Sequence, residues 1–116
     1  MHKETIVIAL GGNALAIKGK DIKGQYENIQ AAIKNISSLF GKYKIIITHG
    51  SGPQIGQLLL QNELARKKVT PSSLDILDAE TQGEIGYMIE KAILNELQER
   101  KLPTPVITVI TQVLVK

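Results

Sequence analysis

The sequence lacks cysteine, and it has few histidine and aromatic residues. The absence of cysteine excludes a disulfide framework, a zinc site built on thiolates and a cysteine nucleophile. The two histidines, His2 and His49, are too few for a histidine-rich metal site, so we expect no metal-binding site in this chain. Three tyrosines and one phenylalanine provide no series of rings on which single-stranded nucleic acid stacks.

The chain also lacks a strong excess of either charge and a long hydrophobic run. Its 14 Lys+Arg and 11 Asp+Glu residues leave a net charge of +3, spread along 116 residues. A small net positive charge suits a small anionic ligand. Nucleic-acid-binding proteins instead concentrate basic residues on one surface. The first apolar run, residues 5–10, is too short for a signal peptide or a membrane-spanning helix. We expect a soluble cytoplasmic protein with no membrane segment, folded as a single domain over residues 1–116.

Strand-like and helix-like patterns alternate along the chain. Three runs of β-branched residues predict strands at 5–10, 44–48 and 105–111. Mostly apolar residues continue the third run to 115. Apolar residues at helical spacing predict three helices: around 29–40, from Pro53 to about 68, and over about 85–101. The order predicts an α/β protein in which right-handed crossovers join parallel strands. Because the strands are almost continuously apolar, both faces of the sheet are expected to be covered.

Glycine-rich turns follow the first two predicted strands. The first glycine turn consists of Gly11, Gly12 and Asn13, and the second consists of Gly50, Ser51 and Gly52. Ligands of parallel α/β proteins bind beyond the carboxyl ends of the strands, where both turns are expected to lie. Glycine lets the backbone approach a ligand and adopt positive φ, and the N–H groups at a helix start attract anions. Either turn alone could be purely structural, but together they predict a site for phosphate or carboxylate.

Other features leave alternatives open. His49 ends a strand, where a histidine is more often packed or hydrogen-bonded than catalytic. Gly83 and Gly86 are costly inside a helix, which predicts tight packing against backbone or ligand. The acidic residues around them suit a solvated helix face better than a metal cluster. Thr111, which ends the third predicted strand, falls level with both glycine turns, and residues 18–24 have the composition of a polar loop.

Four stretches, in order along the chain, resemble the carbamate kinases of the amino acid kinase family: VIALGGNAL (7–15), ITHGSGPQIG (47–56), TQGEIGYMI (81–89) and VITQVLV (109–115). The resemblance implies a three-layer α/β/α sandwich around a mainly parallel sheet. It implies reversible phosphoryl transfer between ATP and carbamate, giving carbamoyl phosphate and ADP with Mg²⁺, as part of arginine metabolism. It also implies a homodimer.

Carried over residue by residue, the resemblance sets the first glycine turn around the transferred phosphoryl group and the second at the carbamate and phosphate side. Ser51 stands where the carbamate kinases usually have asparagine. Ala9 stands where many other members of the family have lysine, which favours the carbamate kinase branch.

The members of the family that this chain resembles are two to three times longer. Their ATP-binding part and their catalytic lysines would lie beyond Lys116, so the chain corresponds to their N-terminal part and is expected to be inactive alone. A non-catalytic module for anion binding or dimerisation is the alternative. Dimerisation itself is expected through the third strand and the wide apolar arc of the third helix, which includes Met88, Ala92, Ile93, Leu94 and Leu97.

Overall fold

The structure, a computed structural model, describes residues 2–15 and 21–116, except for the side chain of Asn13. Its elements are β1 (Thr5–Leu10), α1 (Gly12–Leu15), α2 (Ile22–Ile36), β2 (Lys44–His49), α3 (Gly52–Ala65) and α4 (Leu74–Glu99). A short 3-10 helix, Ser37–Leu39, follows α2. The predicted loop 18–24 lies partly outside the described residues, and its last residues belong to a helix start. There the Asp21 carboxylate caps α2 by accepting a hydrogen bond from the Gly24 N–H at 2.9 Å.

The first two predicted strands form and pair in parallel, as the pattern indicated. Their register runs from Thr5 opposite Lys44 to Leu10 opposite His49. Parallel strands need a crossover, and α2 provides it, because α2 lies between β1 and β2 in the chain. The two strands therefore end level with each other, which sets the two glycine turns side by side at one edge of the sheet.

The hydrophobic core lies between one face of this sheet and helices α2 and α4. Ile29 and Ile33 of α2 and Ile85 of α4 are completely buried there. Ile8 and Ile45 from the sheet pack against the same cluster. Helix α4 is central, since both α2 and α3 contact it.

The opposite face of the sheet has no covering layer within the described residues. Val7 and Ile46, which lie on this face, are 64% and 51% exposed. The expectation that both faces are covered is therefore not met by this part of the chain. The physical reason is that α2 and α4 both pack on the face that carries Ile8 and Ile45.

The prediction of a third strand is wrong for this structure. Residues 102–116 follow α4 without pairing to a strand. A strand needs a neighbour for its backbone groups, and a groove of about 940 Å³ lies between β2 and residues 104–111. Side-chain hydrogen bonds hold the segment on α4 instead. The Thr108 hydroxyl donates to the Gly86 carbonyl oxygen at 3.2 Å, and the Thr111 N–H donates to Gln82 Oε1 at 2.8 Å.

The three predicted helices form with different ends. Helix α4 begins at Leu74, well before the apolar pattern starts, and α3 ends at Ala65, before its basic residues. Part of the apolar arc of α4 was expected to form a dimer contact, and this prediction stays open for Leu94, which is 45% exposed. Met88, Ala92 and Leu97 are buried in the core of the same chain, because α4 is the central helix.

Candidate functional site

The two glycine turns adjoin each other at the carboxyl edge of the sheet. Leu10 and His49 are register partners, so Gly11 and Gly50 leave neighbouring strands at the same level. The first turn opens into α1 at Gly12, and the second opens into α3 at Gly52. The sequence-predicted site residues are thus brought together by the strand register. The side chain of Asn13 lies outside the described residues.

Open space surrounds the glycines of both turns. A Cβ atom added at Gly11, Gly12, Gly50 or Gly52 would meet no atom within 4 Å. None of them uses the positive φ that glycine permits, since Gly41 is the glycine with positive φ among the described residues. Neither backbone conformation nor packing within the described chain therefore requires glycine at these positions. Glycine at these positions leaves room for a group outside the described chain to approach the backbone closely.

Backbone N–H groups supply the hydrogen-bond donors at this edge. The first N–H groups of a helix have no partner within the helix, and α3, of 14 residues, begins directly at the second glycine turn. Its dipole adds positive potential at that end. Pro53 occupies the first turn of α3, where a missing N–H costs nothing, as the sequence indicated. The arrangement is chemically suited to an oxyanion.

The hydroxyl group of Ser51 is directed to α4. Ser51 Oγ lies 3.5 Å from Asp78 Oδ1, a long hydrogen bond, and it makes no capping bond to α3. Gln82 Nε2 donates to the other oxygen of Asp78 at 2.8 Å, and Gln82 also binds the backbone of Thr111. A chain of polar contacts therefore runs from the second glycine turn to Thr111, the residue that the sequence placed level with both turns.

Gln54 is the site residue that sequence reasoning missed. Its side chain is 2% exposed, and its Nε2 donates to the Leu15 carbonyl oxygen at 2.8 Å. The signal was present in the sequence, since Ser51-Gly52-Pro53-Gln54 has the spacing of a capping box. Neither bond of a capping box forms. Ser51 turns to Asp78, and Gln54 turns inward to the end of α1.

His49 is engaged locally, which supports the structural interpretation. Its Nδ1 lies 3.0 Å from the carbonyl oxygen of Gly50. A carbonyl accepts only, so this contact requires the proton on Nδ1. The ring thus serves the conformation of the second glycine turn.

The acidic residues of α4 do not converge. No group of three or more histidine, aspartate or glutamate side chains in residues 2–15 and 21–116 is arranged to hold a metal ion. Burial raises the pKa of Glu84, and the Ser73 hydroxyl that donates to Asp75 lowers the pKa of that carboxyl group. Of the two costly helix glycines, Gly86 packs tightly, because an added Cβ would overlap the Thr108 methyl group. Gly83 has open space.

A parallel strand pair with a crossover helix and a glycine turn at each carboxyl end defines an α/β protein of the kind that binds ligands at this edge of the sheet. The sequence model of the amino acid kinase family matches residues 4–113, and the chain belongs to this family. Within the family it is similar to carbamate kinases. It is 42% identical to the carbamate kinase of Thermococcus kodakarensis in an alignment of 118 positions, gaps included. It is 46% identical to that of Escherichia coli K12 in an alignment of 112 positions.

Solved structures show the same fold. A Giardia carbamate kinase superposes with a TM-score of 0.91 and 36% identity, over 100% of this chain and 41% of that one. A protein of Aeropyrum pernix K1 superposes with a TM-score of 0.85 and 34% identity, over 92% of this chain and 35% of that one. The expected carbamate kinase fold, an α/β sandwich with a parallel sheet, is confirmed.

The similarity covers this chain almost completely but covers the relatives only in part. The two alignments include 95% of this chain, but only 37% of the T. kodakarensis enzyme and 36% of the E. coli enzyme. The chain thus spans about a third of the length of the curated relatives that it matches. No helix among the described residues has the length and apolar character needed to cross a membrane.

Proposed function

We propose that this chain forms the carbamate and phosphate side of a phosphotransferase of the carbamate kinase type. The reaction is reversible phosphoryl transfer between ATP and carbamate, giving carbamoyl phosphate and ADP, in the arginine metabolism of the cytoplasm. One observation carries the proposal: the parallel register aligns two glycine turns, and every glycine in them faces open space. The similarity to carbamate kinases supports it, as does one of them, from Giardia lamblia, bound to AMP-PNP.

The two turns take different parts of the substrate in this proposal. Backbone N–H groups of Gly11, Gly12 and Asn13 surround the phosphoryl group, whose oxygens carry the charge during transfer. Those of Gly50, Ser51 and Gly52 lie at the carbamate and phosphate side. The long bond between Ser51 and Asp78 leaves the serine hydroxyl free to turn toward a bound ligand.

Nucleotide binding and charge neutralisation require more than the described residues supply. We propose that residues 1–116 are the N-terminal part of a longer polypeptide. The ATP- and ADP-binding part and the lysines that neutralise the migrating phosphoryl group then lie beyond Lys116. The described residues contain no group of three or more histidine or carboxylate side chains arranged to hold a metal ion, and in this proposal Mg²⁺ binds together with the nucleotide phosphates. The chain alone is then inactive.

A phosphotransfer assay tests the proposal directly. ATP formation from carbamoyl phosphate and ADP is measured for the chain alone and for a polypeptide that continues with the sequence encoded in frame after Lys116. We expect no ATP from the first and turnover from the second. A longer polypeptide that binds carbamoyl phosphate but never forms ATP would instead support the non-catalytic module.

Substitutions at matched glycines locate the site when the binding of carbamoyl phosphate is measured by titration. Gly52→Val fills the space at the second turn, and we expect at least a tenfold weaker binding of carbamoyl phosphate. Gly56→Val is the control, since Gly56 also has open space but lies one turn further along α3. Equal effects of the two substitutions would contradict the assignment of the site to the turn.

We also propose that the protein is a homodimer. The segment after α4 leaves large apolar side chains exposed, among them Ile107 (81%), Val113 (81%) and Leu114 (100%). Exposed apolar surface of this extent favours association. Sedimentation at micromolar concentration should show a dimer that Leu114→Asp dissociates. Leu64→Asp, at an exposed leucine of α3, should leave the dimer intact, and a monomeric wild-type protein would refute the proposal.

A further inference from the structure

One hydrogen bond joins the helices that follow the two glycine turns. Gln54, in the first turn of α3, donates from its side-chain amide to the carbonyl oxygen of Leu15, the last residue of α1. The donor and acceptor are 39 positions apart in the chain and 2.8 Å apart in space. Because α1 starts at Gly12 and α3 starts at Gly52, this bond ties one turn to the other.

Helix α1 needs such a contact to hold its direction. It has 4 residues in the part of the chain that the structure describes, and a single helical turn is not stable by itself in water. The last carbonyl groups of a helix also lack partners within the helix, and Gln54 supplies a donor to one of them. The Leu15 side chain packs in the hydrophobic core, so α1 is fixed at its end by one apolar and one polar contact.

Gln54 is poorly suited to a purely packing role. Its Oε1 is buried and has no hydrogen-bond partner among the described residues. An apolar side chain of the same size would fill the space without leaving an acceptor unpaired. The buried amide of Gln54 therefore combines one hydrogen bond, from Nε2, with one unpaired acceptor, Oε1, which costs stability. The residue also gives up the bond to the N-terminus of its own helix that a capping box would make.

We propose that Gln54 is a positioning residue, which holds the two glycine turns in one geometry through its bond to Leu15. The inference rests on the proposed function in taking the turns as the two halves of one anion site. Donors on two separate turns bind one oxyanion well when their spacing is set before the ligand arrives. A displacement of about 1 Å in such a site is enough to lower a reaction rate about 100-fold.

Sulfate binding to the chain tests the inference, with sulfate as the probe because its charge stays constant between mildly acidic and neutral pH. Amide NMR signals of both turns report the titration. Gln54→Met keeps the size of the side chain and removes the donor, and we expect sulfate affinity to fall at least tenfold. Gln57→Met is the matched control, since Gln57 lies one turn along the same helix and is exposed. We expect it to bind sulfate as the wild type does.

Gln54→Glu provides a readout that a structural role would not move. An ionised carboxylate cannot donate to a carbonyl, whereas a carboxylic acid can. Sulfate affinity relative to the wild type should therefore be low at pH 7.5 and should recover as the pH falls through the pKa of the new carboxyl group. If Gln54→Met does not fold, the pH dependence of sulfate affinity in Gln54→Glu tests the inference instead.

Failure of the inference and failure of the proposed function give different results. Unchanged sulfate affinity in folded Gln54→Met overturns the inference and leaves the anion site intact. A wild-type chain that binds no sulfate counts against the proposed function. In that case the ligand-free spectra decide: Gly11 and Gly12 signals that shift in Gln54→Met but not in Gln57→Met support the link between the turns, and signals that stay in place overturn it.

Discussion

The two faces of the sheet carry the same kind of residue in different surroundings. Ile45 and Ile47 pack against the hydrophobic core, while Ile46, between them on β2, is 51% exposed. Alternate residues of a strand point to opposite faces, so one run of isoleucine supplies both. A continuous apolar strand is typical of a sheet that is buried on both sides. The open face is therefore a surface that suits a further layer, from the longer polypeptide or the second copy that we propose.

Substitution of one isoleucine in the core beneath the sheet and of one on its open face measures this difference. Ile33→Ala in the completely buried core should lower the free energy of unfolding by about 2–5 kcal/mol, because it leaves a cavity. Ile46→Ala on the open face should lower it by less than about 1 kcal/mol. Urea unfolding of the two variants checks both values.

The same pair of variants sharpens the comparison in a longer polypeptide. If another layer covers the open face there, Ile46→Ala should become as costly as a core substitution. An equal loss for both variants already in the 116-residue chain would contradict the exposed position of Ile46.

Two glycines of α4 offer a second contrast, between a covered and an open part of one helix. Gly86→Ala should destabilise the protein by about 1 kcal/mol net, because the new methyl group overlaps Thr108 and this outweighs the gain in helix propensity. Gly83→Ala, which meets open space, should stabilise it by about 1 kcal/mol. Thermal unfolding gives the sign of each effect.

A second-site change isolates the cause of the Gly86 effect. Thr108→Ser removes the overlapping methyl group and keeps the hydroxyl that binds the Gly86 carbonyl. Gly86→Ala should therefore be tolerated in this background. If it remains as destabilising as before, the contact with residues 102–116 is not its cause.

The smallest expected effect concerns Glu84, which is partly covered. Burial raises its pKa in the folded state, so the folded protein binds this proton more tightly than the unfolded chain does. The free energy of unfolding therefore falls as the pH rises from the ordinary pKa toward the raised one, and the loss persists at neutral pH. Glu84→Gln should stabilise the protein at pH 7 by at most about 0.5 kcal/mol, since solvent screens a partly exposed carboxylate. The gain should vanish below about pH 4.5. Thermal unfolding as a function of pH measures it, and a gain that is the same at every pH would exclude ionisation as its cause.

Much of the candidate site could be predicted because its signals are local. β1 and β2 are short runs of β-branched residues, and each is followed at once by glycine. The chain order then required a crossover and hence parallel strands whose carboxyl ends meet. That reasoning located both glycine turns at one edge, where the register of Leu10 with His49 now shows them.

Other parts of the site depend on partners that are far away in the chain. The Ser51–Gln54 spacing predicts a capping box, but Asp78 and Leu15 provide competing partners that no local pattern reveals. The positive φ that glycine permits is likewise not found in the glycine turns.

The sequence by itself determined the parallel strand pair, the helical segments and the two glycine turns, because hydrophobic period and turn residues act over a few neighbouring positions. The tertiary structure decided which strand residues are buried, whether residues 105–111 pair, and where the polar side chains beside the turns find partners. Pairing and burial require a second surface. Ile46 and Val109 are apolar and therefore suited to burial, yet both are exposed. Only the arrangement of the other elements decides whether such a side chain is buried.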